Sequence, residues 1–229
     1  IPETFAGKKL VPYTDPWSLQ PHAERSTRAI RRLNHNGSKL VGGLRDAIIA
    51  SGLKDGMTIS THHSLRNGDY LLNNLVKEID ALGIRDIRIA SSSVHIVNAE
   101  LIPYIRKGTI SALECGVNGP IGEAISKGEL DCPIIVRSHG GRARSLITGE
   151  VPVDVAFLAA PCCDEYGNFN GFYGPSACGS LGYAQVDAQH AHKVVAVTDN
   201  LVPFPAVPAS IPQSVVDFVA QVPSLGDPK

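Results

Sequence analysis

From Leu40 onward, apolar positions switch repeatedly between helical spacing and short continuous runs. Val41, Leu44, Ile48 and Ile49 recur at helical spacing up to Gly52 and predict a helix that the glycine closes. Met57–Ser60 then reads as a short strand behind the turn Lys54-Asp55-Gly56. A second helical stripe runs through Leu72, Leu75, Val76, Ile79 and Leu82, with Asp69 placed to cap its start and Gly83 to end it. Ile87–Ala90 predicts a second strand, Asn98–Arg106 a helix, and Ile110–Leu113 a third strand. Pro120 occupies the first position of a helix completed by Ile121–Lys127. Pro133–Arg137 predicts a fourth strand, Gly140–Gly149 a short helix, and Val153–Leu158 a fifth strand whose almost unbroken apolar run fits burial on both faces. Lys193–Thr198 predicts a sixth strand, and Ser214–Val222 a last one at the sheet edge.

Strands and helices alternate with short connections, so the expected class is α/β, a mostly parallel sheet with helices on both faces. The Pro-rich stretch 201–212 reads as a crossing loop, and Asp164-Glu165-Tyr166-Gly167-Asn168 as a turn with Gly167 left-handed. Residues 1–38 have a different character. Pro2, Pro12, Pro16 and Pro21 interrupt regular structure, and Arg25, Arg28, Arg31, Arg32 and His35 follow, either as a solvated lead-in or as an arm that docks a partner or an anion.

Composition narrows the classes. Of 229 residues, 43% are hydrophobic, enough for a sizeable core, and no apolar run approaches a membrane span. The net charge of -1 gives no overall basic field, so nucleic acid is not an expected partner and anion recognition must be local. The five cysteines, Cys115, Cys132, Cys162, Cys163 and Cys178, are odd in number and form no CxxC pair. They predict buried thiols in a reducing, cytoplasmic setting, with neither a disulfide framework nor a zinc site.

Ligands of open parallel sheets bind outside the carboxyl ends of the strands, which directs the search to the loops following them. These loops carry His62, His63, Arg66 and Asn67; then Ser91, Ser92 and Ser93; then Glu114, Cys115, Asn118 and Gly119; then Ser138, His139, Gly140, Gly141, Arg142 and Arg144. Hydroxyls, imidazoles, guanidinium groups and glycine N–H groups are the chemistry that binds carboxylates, phosphates and oxyanions. Ser138-His139-Gly140-Gly141-Arg142 is the sharpest case. Its glycines admit close backbone approach, a helix starting there presents N–H groups to an anion, and Arg142 can grip a carboxylate by two hydrogen bonds. His62 and His63 stand open between site and structural roles; neighbours on an extended segment face opposite ways, so they do not predict a shared metal. The three serines are either oxyanion donors or a polar strand end. No dinucleotide fingerprint, Walker loop or nucleophile elbow is present.

Several stretches together resemble the citrate lyase alpha-chain family, within the wider family of CoA-transferases. They are 51–60 with His62-His63, Ala90–Ser93, Ser138–Arg142, Asp154–Leu158 with Cys163–Asn168, and Cys178–Tyr183. The resemblance covers roughly residues 40–229. It implies a CoA-transferase-like α/β domain over 39–229 behind an arm at 1–38, the first of two similar domains, with the second outside this chain and carrying the nucleophilic glutamate. It implies a citrate CoA-transferase, in which citrate replaces acetate on an acyl-carrier thioester. The thioester is that of acetyl-CoA or of an acyl carrier protein bearing a dephospho-CoA-type arm, with no cofactor bound covalently to this chain. The implied partners are citrate, the acetyl carrier, the citrate lyase beta and gamma chains, the chain's own second domain and further copies in a homo-oligomer. On this reading His62, His63, Arg66, Ser91–Ser93 and Ser138–Arg142 form one substrate pocket, and the fragment alone is inactive. A CoA-transferase for a monocarboxylate and a non-catalytic anion-binding module are the alternatives.

Overall fold

The structure is a computed structural model that describes residues 3–5, 7–9, 37–65 and 68–227. Its centre is a seven-stranded sheet: β1 (Leu40–Val41), β2 (Thr58–Ser60), β3 (Ile87–Ile89), β4 (Ile110–Leu113), β5 (Val155–Ala159), β6 (Lys193–Thr198) and β7 (Phe218–Gln221). The strands lie in the order β1-β7-β6-β5-β2-β3-β4, and every neighbouring pair is parallel. Parallel neighbours need crossovers, and the helices supply them. They are α1 (Leu44–Ser51), α2 (Leu71–Ala81), α3 (Ile102–Arg106), α4 (Pro120–Ser126), α5 (His139–Ile147) and α6 (Ala184–His190).

The apolar run of β5 shows how the layers form. Val155, Phe157 and Ala159 face a core shared with Ile48 of α1 and Leu75 and Ile79 of α2. Ala156, Leu158 and Ala160 face a second core shared with Leu146 of α5 and Ala184 and Ala188 of α6. Because successive side chains point to opposite faces, a strand between two helical layers must be apolar at every position. Alanine is the commonest residue of the second core, and these small side chains let α6 lie close to the sheet.

Most expected elements form within a residue or two of their predicted bounds, and three differ. The segment Pro133–Arg137 makes no strand: Ile135 and Val136 are exposed, and Ile135 N–H makes a single link to the Leu113 carbonyl at 3.1 Å. β7 is not an edge strand, because the two-residue β1 pairs beyond it, Val219 opposite Leu40. The helix expected over 98–106 begins as a 3-10 turn at Ile96–Leu101 before α3. Of the basic N-terminal arm, the arginines and His35 lie outside the described residues.

The 164–168 turn is tied to the fold by its first residue. Asp164 Oδ1 accepts from the N–H groups of Tyr166 and Asn168 at 2.9 and 3.1 Å, and Oδ2 accepts from Asn168 Nδ2 and Ala206 N–H at 2.8 and 2.9 Å. Gly167 has φ 95°, and a Cβ there would stand 2.8 Å from Val216 Cγ1. Both features are structural, and the turn contributes nothing to the cavity described next.

Candidate functional site

β2 and β5 are neighbours, yet the chain leaves β2 toward β3 and leaves β5 toward β6. Such a reversal opens a crevice at the carboxyl ends of the strands. A cavity of about 560 Å³ lies beside it. Three walls follow strands: His63 and Ser64 after β2, Ser92, Ser93 and His95 after β3, and Glu114, Cys115, Gly116 and Asn118 after β4. The fourth comes from the other face of the sheet: Arg137, Ser138, His139 and Arg142 at the start of α5, and Tyr183, which precedes α6.

Ser138 caps α5 as its spacing predicts. Its backbone is extended, and its hydroxyl accepts the Gly141 N–H at 3.1 Å. No atom outside the local chain comes within 4 Å of a Cβ placed on Gly140, so the first turn is unobstructed there. One turn in, Arg142 is 6% exposed. Its Nε donates to the Ser91 carbonyl at 3.2 Å, and its Nη2 to the Ala90 carbonyl at 2.8 Å, Ser60 Oγ at 3.2 Å and Asp187 Oδ2 at 3.1 Å. Nη1 is buried and has no hydrogen-bond partner. Tyr183 lies against the guanidinium, 5.2 Å from ring centre to Cζ, and against the His139 ring at 6.1 Å.

The two adjacent histidines divide as an extended segment dictates. His63 faces the cavity, where its Nδ1 is 2.6 Å from Ser92 Oγ and its ring meets His95 edge-on at 4.7 Å. Ser92 Oγ also accepts the His63 backbone N–H at 3.0 Å, which fixes the hydroxyl between strand end and ring. His62 turns inward and is 5% exposed. Burial holds its imidazole down at about 4, with the nearby His63 and Arg142 acting the same way and the Ala159 carbonyl opposing them. At neutral pH the ring is therefore uncharged, and Nε2 carries the proton that it donates to that carbonyl at 3.1 Å.

The acidic groups are partnered. Burial raises the Asp187 carboxyl to about 6, against the pull of Arg142. Burial also raises Glu114, while Arg137 and Arg88 oppose it. The Cys115 thiol is pushed up to about 12 by burial, which makes it an inert wall and no nucleophile. The described residues contain no cluster able to hold a metal ion, and no helix among them is long and apolar enough to cross a membrane.

Of the residues expected to form the substrate pocket, the structure brings His63, Ser92, Ser93, Ser138, His139 and Arg142 to the cavity. His62 and Ser91 are packed beneath it. Ser91 Oγ bonds Thr61, and its carbonyl holds Arg142. Gly140 and Gly141 lie in the first turn of α5 without lining the cavity, and Arg66 falls outside the described residues. Five lining residues lie outside the candidate sets: Ser64, His95 and Gly116, which neighbour named loop residues, and Arg137 and Tyr183. Arg137 falls in the predicted strand Pro133–Arg137, and Tyr183 lies late in the long connection after β5. Their signal was their place in the quoted motifs, Arg137 directly before Ser138 and Tyr183 closing the 178–183 stretch.

The family model described as "Citrate lyase, alpha subunit (CitF)" matches residues 37–229. The citrate lyase alpha chain of Klebsiella pneumoniae is 44% identical over 221 residues, covering 95% of this chain and 44% of that protein. A solved structure, the putative alpha subunit of citrate lyase from Streptococcus mutans in complex with citrate, superposes with a TM-score of 0.87 at 43% identity. It covers 100% of this chain and 44% of that one, so the chain spans less than half the length of these relatives. An acyl-CoA transferase from Escherichia coli O157:H7 shares the fold, with a TM-score of 0.61 at 16% identity over 82% of this chain and 48% of that one.

Proposed function

The chain belongs to the citrate lyase alpha-subunit family, and from that premise we propose that it supplies the front half of a citrate CoA-transferase site. In the reaction, citrate takes the place of acetate on an acetylated carrier thioester, giving the citryl thioester and free acetate. The acetyl–sulfur bond breaks, a citryl–sulfur bond forms, and acetate leaves with the oxygen that the citrate carboxylate gives up. Whichever carboxylate attacks first, negative charge builds on the thioester carbonyl oxygen, and the site must also hold a tricarboxylate.

The observation that carries this reading is the state of Arg142. Three acceptors at the strand ends and one on α6 fix its Nε and Nη2, while Nη1 is buried without a partner in a residue that lines the cavity. A buried donor left unpaired costs free energy that a bound carboxylate or oxyanion would offset. Ser138 and His139 stand on the same wall, and His63 with Ser92 faces the cavity from the strand ends. The citrate bound in the Streptococcus mutans relative supports the choice of ligand.

The remaining parts of the proposal follow from the family. Residues 39–229 form the first of two similar domains, the second closes the cavity and brings the nucleophilic glutamate, and beta and gamma chains complete the lyase. Glu114 is not proposed as that nucleophile; it stands 3.3 Å from Arg137 in the cavity wall. The five free thiols fit a reducing cytoplasm.

The test is thioester exchange between acetyl-CoA, as a carrier surrogate, and labelled citrate. It is run with this chain alone and with the chain joined to the second domain of a relative, beside calorimetric titration of citrate. Citrate binding to the chain, with exchange in the two-domain form, is the expected result. No citrate binding and no exchange in either form would overturn the proposal.

A further inference from the structure

We propose that Arg137 is a specificity-determining residue of this site, the receiver of a second ligand carboxylate that distinguishes a polycarboxylate from a monocarboxylate. The inference rests on the proposed citrate site and adds to it a residue outside the expected substrate pocket. In the proposed site, Arg142 has a single guanidinium nitrogen, Nη1, left to offer one acidic group. A ligand with three carboxylates needs further cationic contacts, and Arg137 is the other arginine among the described residues that line the cavity.

Arg137 immediately precedes the cap of α5, so the helix start separates it from Arg142. Its side chain is 18% exposed. Two carboxylates share its fork: Nη1 lies 3.3 Å from Glu114 Oε2, and Nη2 lies 2.8 Å from Glu150 Oε1. The first contact is long for a charge-assisted hydrogen bond, and Glu114 is the only acidic residue among the described residues that line the cavity. Burial raises the Glu114 carboxyl, so the group opposite Nη1 holds its charge less firmly than an ordinary glutamate. Glu150 is 44% exposed and sits on the solvent side. The guanidinium is thus held at the cavity by an outer carboxylate, while its inner edge faces a weakly held one that a ligand carboxylate can displace. A buried arginine paired on both sides by strong acids would be a structural tie; this one is firmly paired on the outside alone.

Calorimetric titration of citrate, succinate and acetate into the chain and into Arg137→Gln tests this, with a thermal melt to establish folding. The expected result is a loss of about 10- to 100-fold in citrate affinity, the scale of one charge-assisted hydrogen bond, with acetate affinity unchanged. Arg137→Lys should recover part of the loss. Equal losses for citrate and acetate, or an unchanged citrate affinity, would overturn the assignment. Glu150→Gln provides an independent arm should Arg137→Gln fold poorly. Removing the partner that holds the guanidinium at the cavity should weaken citrate a few-fold and leave acetate alone, and an unchanged citrate-to-acetate ratio would overturn the assignment of Arg137. Wild-type chain that binds none of the three ligands would overturn the citrate site itself, and that result is distinct from a wild-type chain that binds citrate as tightly as Arg137→Gln does.

Discussion

Arg142 and Asp187 meet beneath the cavity floor, Nη2 3.0 Å from Oδ1, with 7% and 0% of their side chains exposed. The pair joins α5 to α6 and turns the guanidinium so that two of its nitrogens face the sheet. Breaking one side of a buried pair strands the other charge, so Asp187→Ala should destabilise the fold by about 3–5 kcal/mol in urea denaturation. Asp187→Asn, which keeps the shape and an acceptor, should cost clearly less. Equal stability of Asp187→Ala and wild type would show that the pair is not a tie between the helices.

Arg142→Lys keeps a charge but not the fork. Citrate should raise the melting temperature of the wild type in a concentration-dependent way, as any ligand of the native state does. In Arg142→Lys that shift should be largely lost, with affinity down about 10- to 100-fold. A full citrate-induced shift in the variant would remove Arg142 from the proposed site.

His62 makes a pH-dependent contribution that can be isolated. Its folded value near 4 lies below the ordinary 6.5, so as pH falls through 6.5 the unfolded chain takes up a proton that the folded chain refuses. Stability from this group is therefore lost on acidification between about 6.5 and 4. Asp187 acts in the opposite direction, since its raised value near 6 means that stability is lost as pH rises from about 4 to 6. The two partly cancel in the wild type. The stability difference between wild type and His62→Gln should change by about 3 kcal/mol at most across that window. A pH-independent difference would mean that His62 titrates normally in the fold.

The 164–168 turn should behave as a structural staple. Asp164→Ala strands four donors and should cost about 3–5 kcal/mol. Gly167→Ala forces a left-handed position against Val216 and should cost about 1–3 kcal/mol. Citrate affinity of the folded fraction should be unchanged in both, because the turn lies outside the cavity; a selective loss of binding would contradict that placement.

Ser138→Ala removes the cap of α5 at a cost of about 1 kcal/mol. The cap also holds the first turn in register with the cavity, so citrate affinity should fall several-fold as well. A stability loss without any change in affinity would separate the helix start from the ligand.

The sequence alone determined the layered α/β plan and most of its elements. Strands buried on both faces must be apolar throughout, and helices on a sheet must carry an apolar stripe; both signatures are local and readable in β5, β6 and α2. The loop logic was equally local, so six of the candidate residues meet at the cavity. Tertiary structure decided whatever depended on a distant partner. Whether Ser214–Val222 is an edge depends on Leu40 and Val41, two residues with no period of their own. Whether Pro133–Arg137 is a strand depends on a neighbour to pair with, and beyond Leu113 it finds a single hydrogen bond. His62 and His63 look alike in the chain, yet one is buried neutral beneath the site and the other faces into it, because alternate residues of an extended segment meet different surroundings. The orientation of Arg142 depends on Asp187, 45 residues away on a helix across the second core.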